Sequence, residues 1–499
     1  MIKSRLSFLL VLAFLLTGVA NSVASNPKRE FRGAWLHVIS TRDFAKRTTE
    51  QNKVYFRNEL DKLQEAGVNA VVFQIRPFAD ALYHSDIEPW SAYLTGVTGR
   101  APETDWDPLQ FMIEECHARG MELHAWLNPY RSVTLTEKLP ADHQTKKEHW
   151  RFITFHGRYY YDPGLPENRA HINKVVKDIV TRYDVDAIHM DDYFYPYPKQ
   201  GLRFADDASY RRFGNGMNLE DWRRDNVNKL IEELSETIHS TKPWVRFGIS
   251  PFGIWRNKKS DPDGSDTNGL QNYDNLYADV ILWAKNGWID YQVPQLYWDL
   301  DLKIASSRKL ADWWNDHAYD RHLYIGQDVE RTMNYGELKE KIDISRRLPN
   351  VQGNVWWPAV SVTKDYKNVI GALKKGPQST IALTPEYPWL AEGMNLPEVA
   401  VPSNLTLTDG VLSWEYADNS SDDDPRISDV NGAVIYSLDS DKIGSQLDDP
   451  ANIVAVVRGD ANFCEIAGKV KPGTWLAVTC LDRINRESQP SKPFRYNPK

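Results

Sequence analysis

From Phe31 onward the sequence repeats one pattern eight times: a short run of apolar and β-branched residues, then an amphipathic stretch of helical period. The runs are FRGAWLHV from Phe31, NAVVFQIRP from Asn69, MELHAWLNPY from Met121, DAIHMDDYF from Asp186, RFGISPFGIW from Arg246, DYQVPQLYW from Asp290, HLYIGQDV from His322 and VQGNVWWPAV from Val351. Cap chemistry punctuates the helices, as at the Asp107-Pro108 start and Gly120 stop of DPLQFMIEECHARG. Strand-helix units of this kind join parallel strands by right-handed crossovers. Eight of them, with long insertions after strands two to five, predict an α/β fold: a (β/α)8 TIM barrel with extended βα loops over residues 28–379. An open doubly wound sheet would want a Gly-rich turn after its first strand, and WLHVISTRDF has none.

The alternation stops in a Pro-rich stretch, 380–402, read as a linker. Residues 403–499 carry only short strands and turn clusters, which predicts a small all-β sandwich. Its Trp414 and Tyr436 are placed like the core aromatics of fibronectin type III modules, which it resembles. Lys3 and Arg5 ahead of the apolar run Leu6 to Val19 read as a signal peptide over residues 1–25. An exported protein, periplasmic or secreted, is therefore expected. The run is short for a transmembrane segment, and no cysteine near its end offers a lipid anchor.

The 60 Lys and Arg against 68 Asp and Glu leave a net charge of −8, which gives no reason to expect a nucleic-acid partner. Cys116, Cys464 and Cys480 match no metal spacing, and the DPDGSDTNGL stretch from Asp261 lacks the closing Glu of a calcium loop. No metal or cofactor is called for. Cys464 and Cys480 can bridge neighbouring strands or remain buried thiols.

In such a barrel the chemistry sits at the carboxyl ends of the strands. Apolar Ile188 and Met190 should face the helices, which turns His189 and Asp191 inward. Asp192 follows where the strand yields to loop, and two adjacent carboxylates sharing a site raise one pKa, as acid/base work requires. Glycoside cleavage needs a carboxyl to protonate the leaving oxygen and another as nucleophile or base. Asp191 fills one place; Asp299 is first choice for the partner, with Asp80, Glu88 and Asp328 as rivals. Trp126, Trp255, Trp298, Trp356 and Trp357 also cluster at strand ends, where rings can stack on pyranose faces. Asn128, Gln295 and Gln327 offer hydrogen bonds to hydroxyls.

The motifs FRGAWLHV, VVFQIRPFADALYHSDIEPWS, HAWLNPYR, IHMDDYFYPYP, ISPFGIWRN, VPQLYW and YIGQD resemble, in combination, the glycosyl hydrolase-like family 10 proteins of bacteria. The resemblance spans the barrel and implies a cell-envelope glycosidase, some members of which hydrolyse peptidoglycan strands freed of their peptides. It places family motifs on Gln74, Arg76, Asp80 and Glu88, on Asn128 and Arg131, and on His189, Asp191, Asp192 and Tyr193. At strand six the shared pattern covers Gln295, Tyr297 and Trp298, with Asp299 outside it. A glycan substrate is thus expected, peptide-free peptidoglycan first. The other readings are a noncatalytic carbohydrate-binding protein and a hydrolase of a dietary or capsular polysaccharide.

Overall fold

The computed structural model describes residues 26–39, 43–416, 426–459 and 461–497; the stretch read as a signal peptide lies outside them. Eight parallel strands close into a barrel: β1 (Phe31–Leu36), β2 (Ala70–Arg76), β3 (Glu122–Leu127), β4 (Ala187–Met190), β5 (Arg246–Ile249), β6 (Tyr291–Gln292), β7 (His322–Asp328) and β8 (Val351–Trp357). Each strand neighbours the next in sequence, and β8 returns to β1. This is the barrel expected from the eightfold alternation. The helix Thr49–Glu65 begins with a Thr48/Gln51 capping box, and Asp107 caps Pro108–His117 from its side chain, satisfying N–H groups left open by the first turn.

The strands sort their residues by parity. Ile188, Met190, Phe247 and Ile249 join the large core between barrel and helices, whereas Phe31, Trp35, Trp126, Tyr291 and Tyr324 fill the interior. Gly248 makes room there, since a Cβ on it would lie 1.9 Å from the Tyr291 ring. The insertion after β3 builds a three-stranded antiparallel sheet from Arg131–Thr134, Phe152–Phe155 and Arg158–Tyr161 at the barrel's mouth.

The C-terminal residues form an antiparallel three-stranded sheet and a four-stranded one. Leu412 and Trp414 of the first share a core with Ile435 and Val478 of the second. Cys464 and Cys480 are buried free thiols on different sheets, so the bridge is not formed. The Pro-rich stretch is tied down beneath the barrel. Leu383 N–H donates to Lys28 O at 2.8 Å, the Tyr387 and Tyr324 hydroxyls meet at 2.7 Å, and Trp389 Nε1 donates to Asp290 at 2.8 Å. Arg458 of the C-terminal sheets and Asn485 of the turn after Trp475–Asp482 reach Glu122 at the amino end of β3, so this unit docks on the barrel's underside and leaves the carboxyl ends of the strands uncovered by it. Among the described residues no helix is long and apolar enough to cross a membrane.

Candidate active site

Strand β4 delivers two carboxyls to one place. Strand parity carries Asp191 to the carboxyl-end cavity, and because β4 ends at Met190 the chain is free to turn Asp192 into it as well. This cavity of about 250 Å³ is walled by Trp35, Trp126, Tyr193, Tyr297 and Trp357, with Arg131, Ser250 and Gln295 adding polar edges. Aromatic faces with a few convergent polar groups suit a sugar ring.

The two acids have unlike surroundings. Asp191 accepts from Asn128 Nδ2 at 2.6 Å, from Trp126 Nε1 at 3.2 Å and from the Tyr193 N–H at 3.1 Å. Burial raises its pKa, and the Arg131 charge and these donors offset that only in part. Asp192 accepts from the Tyr197 hydroxyl and, at 3.2 Å, from Gln295 Nε2. Burial, then the charge of Asp191, push Asp192 up to about 7. Asp191, with more donors and a nearby guanidinium, takes the charge first; Asp192 keeps its proton close to neutrality.

Under the cavity a chain of hydrogen bonds runs down the barrel axis. Trp35 Nε1 can only donate, so His189 Nε2 accepts it at 3.2 Å and the His189 proton sits on Nδ1, facing the Tyr291 hydroxyl at 3.0 Å. That hydroxyl meets His124 Nδ1 at 2.7 Å, and His124 Nε2 meets Glu122 at 3.0 Å. Burial, reinforced by His124, holds His189 far below the usual imidazole range. His189 is thus a neutral floor group whose Nε2 holds the Trp35 indole.

The remaining sequence candidates are placed elsewhere. Arg76 and Glu88 form a fully buried pair, with Nε and Nη2 each 2.5 Å from a carboxylate oxygen, and His171 meets Glu88 at 2.9 Å. Arg76 also donates to the Asn128 and Pro129 carbonyls, so the pair braces the loop carrying Asn128. Asp80 is buried and accepts from the Phe78 N–H at 2.9 Å. Asp328 caps the helix Val329–Tyr335 through the Arg331 N–H. Asp299 does not line the cavity; its carbonyl accepts from Leu302 and Ser307 N–H in the turn beyond β6, and its charge bears on Lys341.

Trp255 stacks on Trp313 at 5.7 Å, and Trp298 packs edge-on to Phe252. Gln327 donates to Asn354 at 3.2 Å. Trp356 is wholly buried among the helices, because β8 parity sends its neighbour Trp357 inward instead. The residues brought together are thus Trp126, Asn128, Arg131, His189, Asp191, Asp192, Tyr193, Gln295, Tyr297 and Trp357. Sequence reasoning missed Trp35, Ile39 and Tyr197. The parity of β1 already pointed Trp35 inward with Phe31 and Gly33; nothing local marked Tyr197.

A family model described as glycosyl hydrolase-like 10 matches residues 30–341, ending before β8. The chain belongs to this family. Glycosyl hydrolase YngK of Bacillus subtilis is 41% identical over 409 residues, spanning 78% of this chain and 80% of the relative. Glycosyl hydrolase DigH of Escherichia coli is 38% identical over 377 residues, spanning 68% and 83%. Among solved structures, the PgaB (BpsB) glycoside hydrolase domain from Bordetella bronchiseptica aligns with a TM-score of 0.45 at 11% identity, over 69% of this chain and 98% of that one. The endo-β-1,4-mannanase from Thermotoga petrophila aligns at 0.41 and 12%, over 94% and 99%. The family motifs read from the sequence therefore led to the right family, and the family member is an enzyme, a glycoside hydrolase. The binding-only reading gives way.

Proposed function

We propose that the protein is an exported hydrolase of a β-linked, amino-sugar-containing glycan of the cell envelope, with peptide-free peptidoglycan strands as its first substrate. The observation that carries the reading is a pair of adjacent carboxyls with unlike hydrogen-bond partners in an aromatic-walled cavity at the carboxyl ends of the strands. Asp192, neutral, protonates the glycosidic oxygen; Asp191, ionised, faces the positive charge that builds on the sugar. Residues 1–25 support export, and the family resemblance supports the substrate class.

A cationic stack beside the cavity supports a substrate that carries carboxylates. The Arg131 guanidinium lies 4.6 Å from the Tyr193 ring centre and 4.8 Å from that of Phe78, and Arg158 lies 4.2 Å from the same Phe78 ring. Both arginines donate to neutral oxygens, Arg131 to Asn128 Oδ1 and Arg158 to Ser132 O, so neither guanidinium is tied up by these bonds in a direct ion pair, although the Arg131 charge also bears on Asp191. Peptide-free strands bear a lactyl carboxylate on every second sugar, which such a stack can read. Arg158→Ala is expected to raise KM on those strands roughly tenfold and to spare uncharged N-acetylglucosamine oligomers. An equal loss on both substrates counts against carboxylate reading.

The direct test is release of reducing ends from purified peptide-free strands by wild type and by Asp191→Asn. Release by wild type, lost in the variant, supports the proposal; retained activity in Asp191→Asn removes that residue from the mechanism. The pH profile follows from Asp192. An acid must enter the reaction protonated, so kcat/KM is expected to fall as pH rises through about 7. A profile flat to pH 9 contradicts the assignment.

A further inference from the structure

We propose that the nucleophile is supplied by the substrate: Asp191 and Asp192 work as a pair on the 2-acetamido group and glycosidic oxygen of one sugar, which makes this a site for N-acetylated, 1,2-trans-linked hexosamines. The inference rests on the hydrolase reading above and deepens it.

The geometry points this way because both cavity acids come from consecutive residues of one strand end. Two carboxyls so placed approach the sugar from one side, whereas a two-carboxylate mechanism needs them on opposite faces of the scissile bond, about 5 to 9.5 Å apart. Among the described residues, no acid from another strand end or loop lines the cavity. Asp80 accepts from Phe78, Glu88 is locked to Arg76 and His171, and Asp328 caps a helix. Asp299 stands outside the cavity, in the turn after β6.

An acetamido group fills the vacant role. Its carbonyl oxygen attacks C1 from the face opposite the leaving group, forming the C1–O bond as the glycosidic C–O bond breaks. Asp192 gives its proton to the departing oxygen, and the Asp191 carboxylate accepts the acetamido N–H, balancing the charge of the resulting oxazoline-type ring. Asp191 is built for that duty. Asn128, Trp126 and the Tyr193 N–H hold its two oxygens in place while the carboxylate still borders the cavity. Water then adds to C1, Asp192 recovers a proton from it, and the C1–O bond to the acetamide breaks, so that one water is consumed and the anomeric configuration is retained. Tyr297, on the cavity wall within electrostatic reach of both acids, is positioned to donate to the acetamido oxygen.

The test uses the mature full chain and four probes: N-acetylglucosamine oligomers, the same oligomers fully de-N-acetylated, the thiazoline analogue of N-acetylglucosamine, and β-1,4-glucans without amino sugars. The expected result is cleavage of the acetylated oligomers with retention seen by proton NMR, loss of turnover by at least about a hundredfold on the de-N-acetylated ones, and competitive inhibition by the thiazoline. Asp191→Asn is expected to weaken thiazoline binding as well as kcat, which a merely structural role would not do in a folded variant. Cleavage with inversion, or equal cleavage of de-N-acetylated oligomers, overturns the inference and leaves the hydrolase reading intact. Cleavage confined to glycans without amino sugars overturns both.

Discussion

Asp192→Asn is expected to lower kcat on a natural glycan by roughly 10²–10⁴-fold, the usual contribution of a positioned general acid, while leaving the fold intact. The amide cannot deliver a proton to the glycosidic oxygen, so the loss should follow how badly that oxygen needs one. An aryl glycoside whose phenolate departs unaided should lose far less, and its pH profile should lose the limb near 7. Stability is expected to move in the opposite direction. A carboxyl held at about 7 in the folded state favours folding less and less as pH climbs from its ordinary value toward 7, because ionising it in the cavity is costly. Asparagine removes that penalty, so the melting temperature at pH 8 should hold or rise. Equal losses on natural and aryl substrates would mean that Asp192 positions substrate and does not act as the acid.

Much of this site was legible because β4 is regular up to Met190, and alternation along a strand is a reliable carrier of direction. The same logic places Gln295 and Tyr297 at the cavity, where they lie, but misplaces Asp299. The ladder of β6 covers only Tyr291 and Gln292, with isolated bridges from Gln295 to Phe252 and Gly326, and beyond Tyr297 the chain turns, so parity no longer propagates. On β8 the choice between Trp356 and Trp357 was a choice of register, and adjacent identical residues give no sign of which faces inward. Asp80 and Glu88 share a different difficulty. Their sequence neighbourhood marks them as special, and they are, but through buried contacts to the Phe78 N–H, Arg76 and His171 that brace the loop beside the site. A motif records that a residue matters to the fold or to the reaction without saying which. Tyr197 lay beyond sequence reasoning altogether, since its hydroxyl meets Asp192 only after the YPYP loop folds back.

Glu122→Gln is expected to destabilise the protein by about 3–5 kcal/mol, the cost of depriving two buried arginines of their nearest counterion. Glu122 is fully buried at the foot of β3, where Arg246 lies 2.6 Å away and Arg458 2.9 Å away; Asn485 and the Thr384 hydroxyl donate to it at 3.0 and 2.8 Å, and His124 meets its other oxygen. These partners come from β5, the C-terminal sheets and the Pro-rich stretch, so a single carboxylate ties three parts of the chain together. The two guanidiniums hold Glu122 far below the usual carboxylate range. Its contribution is therefore present at neutral pH and lost only in strong acid. Gln keeps the shape and some hydrogen bonds but cancels the nearer charge that both arginines face, leaving them Asp186 at 4.0 and 3.9 Å, and neither arginine can lose its proton to compensate. Chemical denaturation should show the loss, and the form of the curve carries the sharper information. If Glu122 is what couples barrel to sandwich, wild type unfolds in one transition and Glu122→Gln in two, with Arg458→Met giving the same separation and the double variant little further loss. A cost under about 1 kcal/mol, as for an exposed pair, would mean that the Tyr387 and Trp389 contacts hold the underside without it.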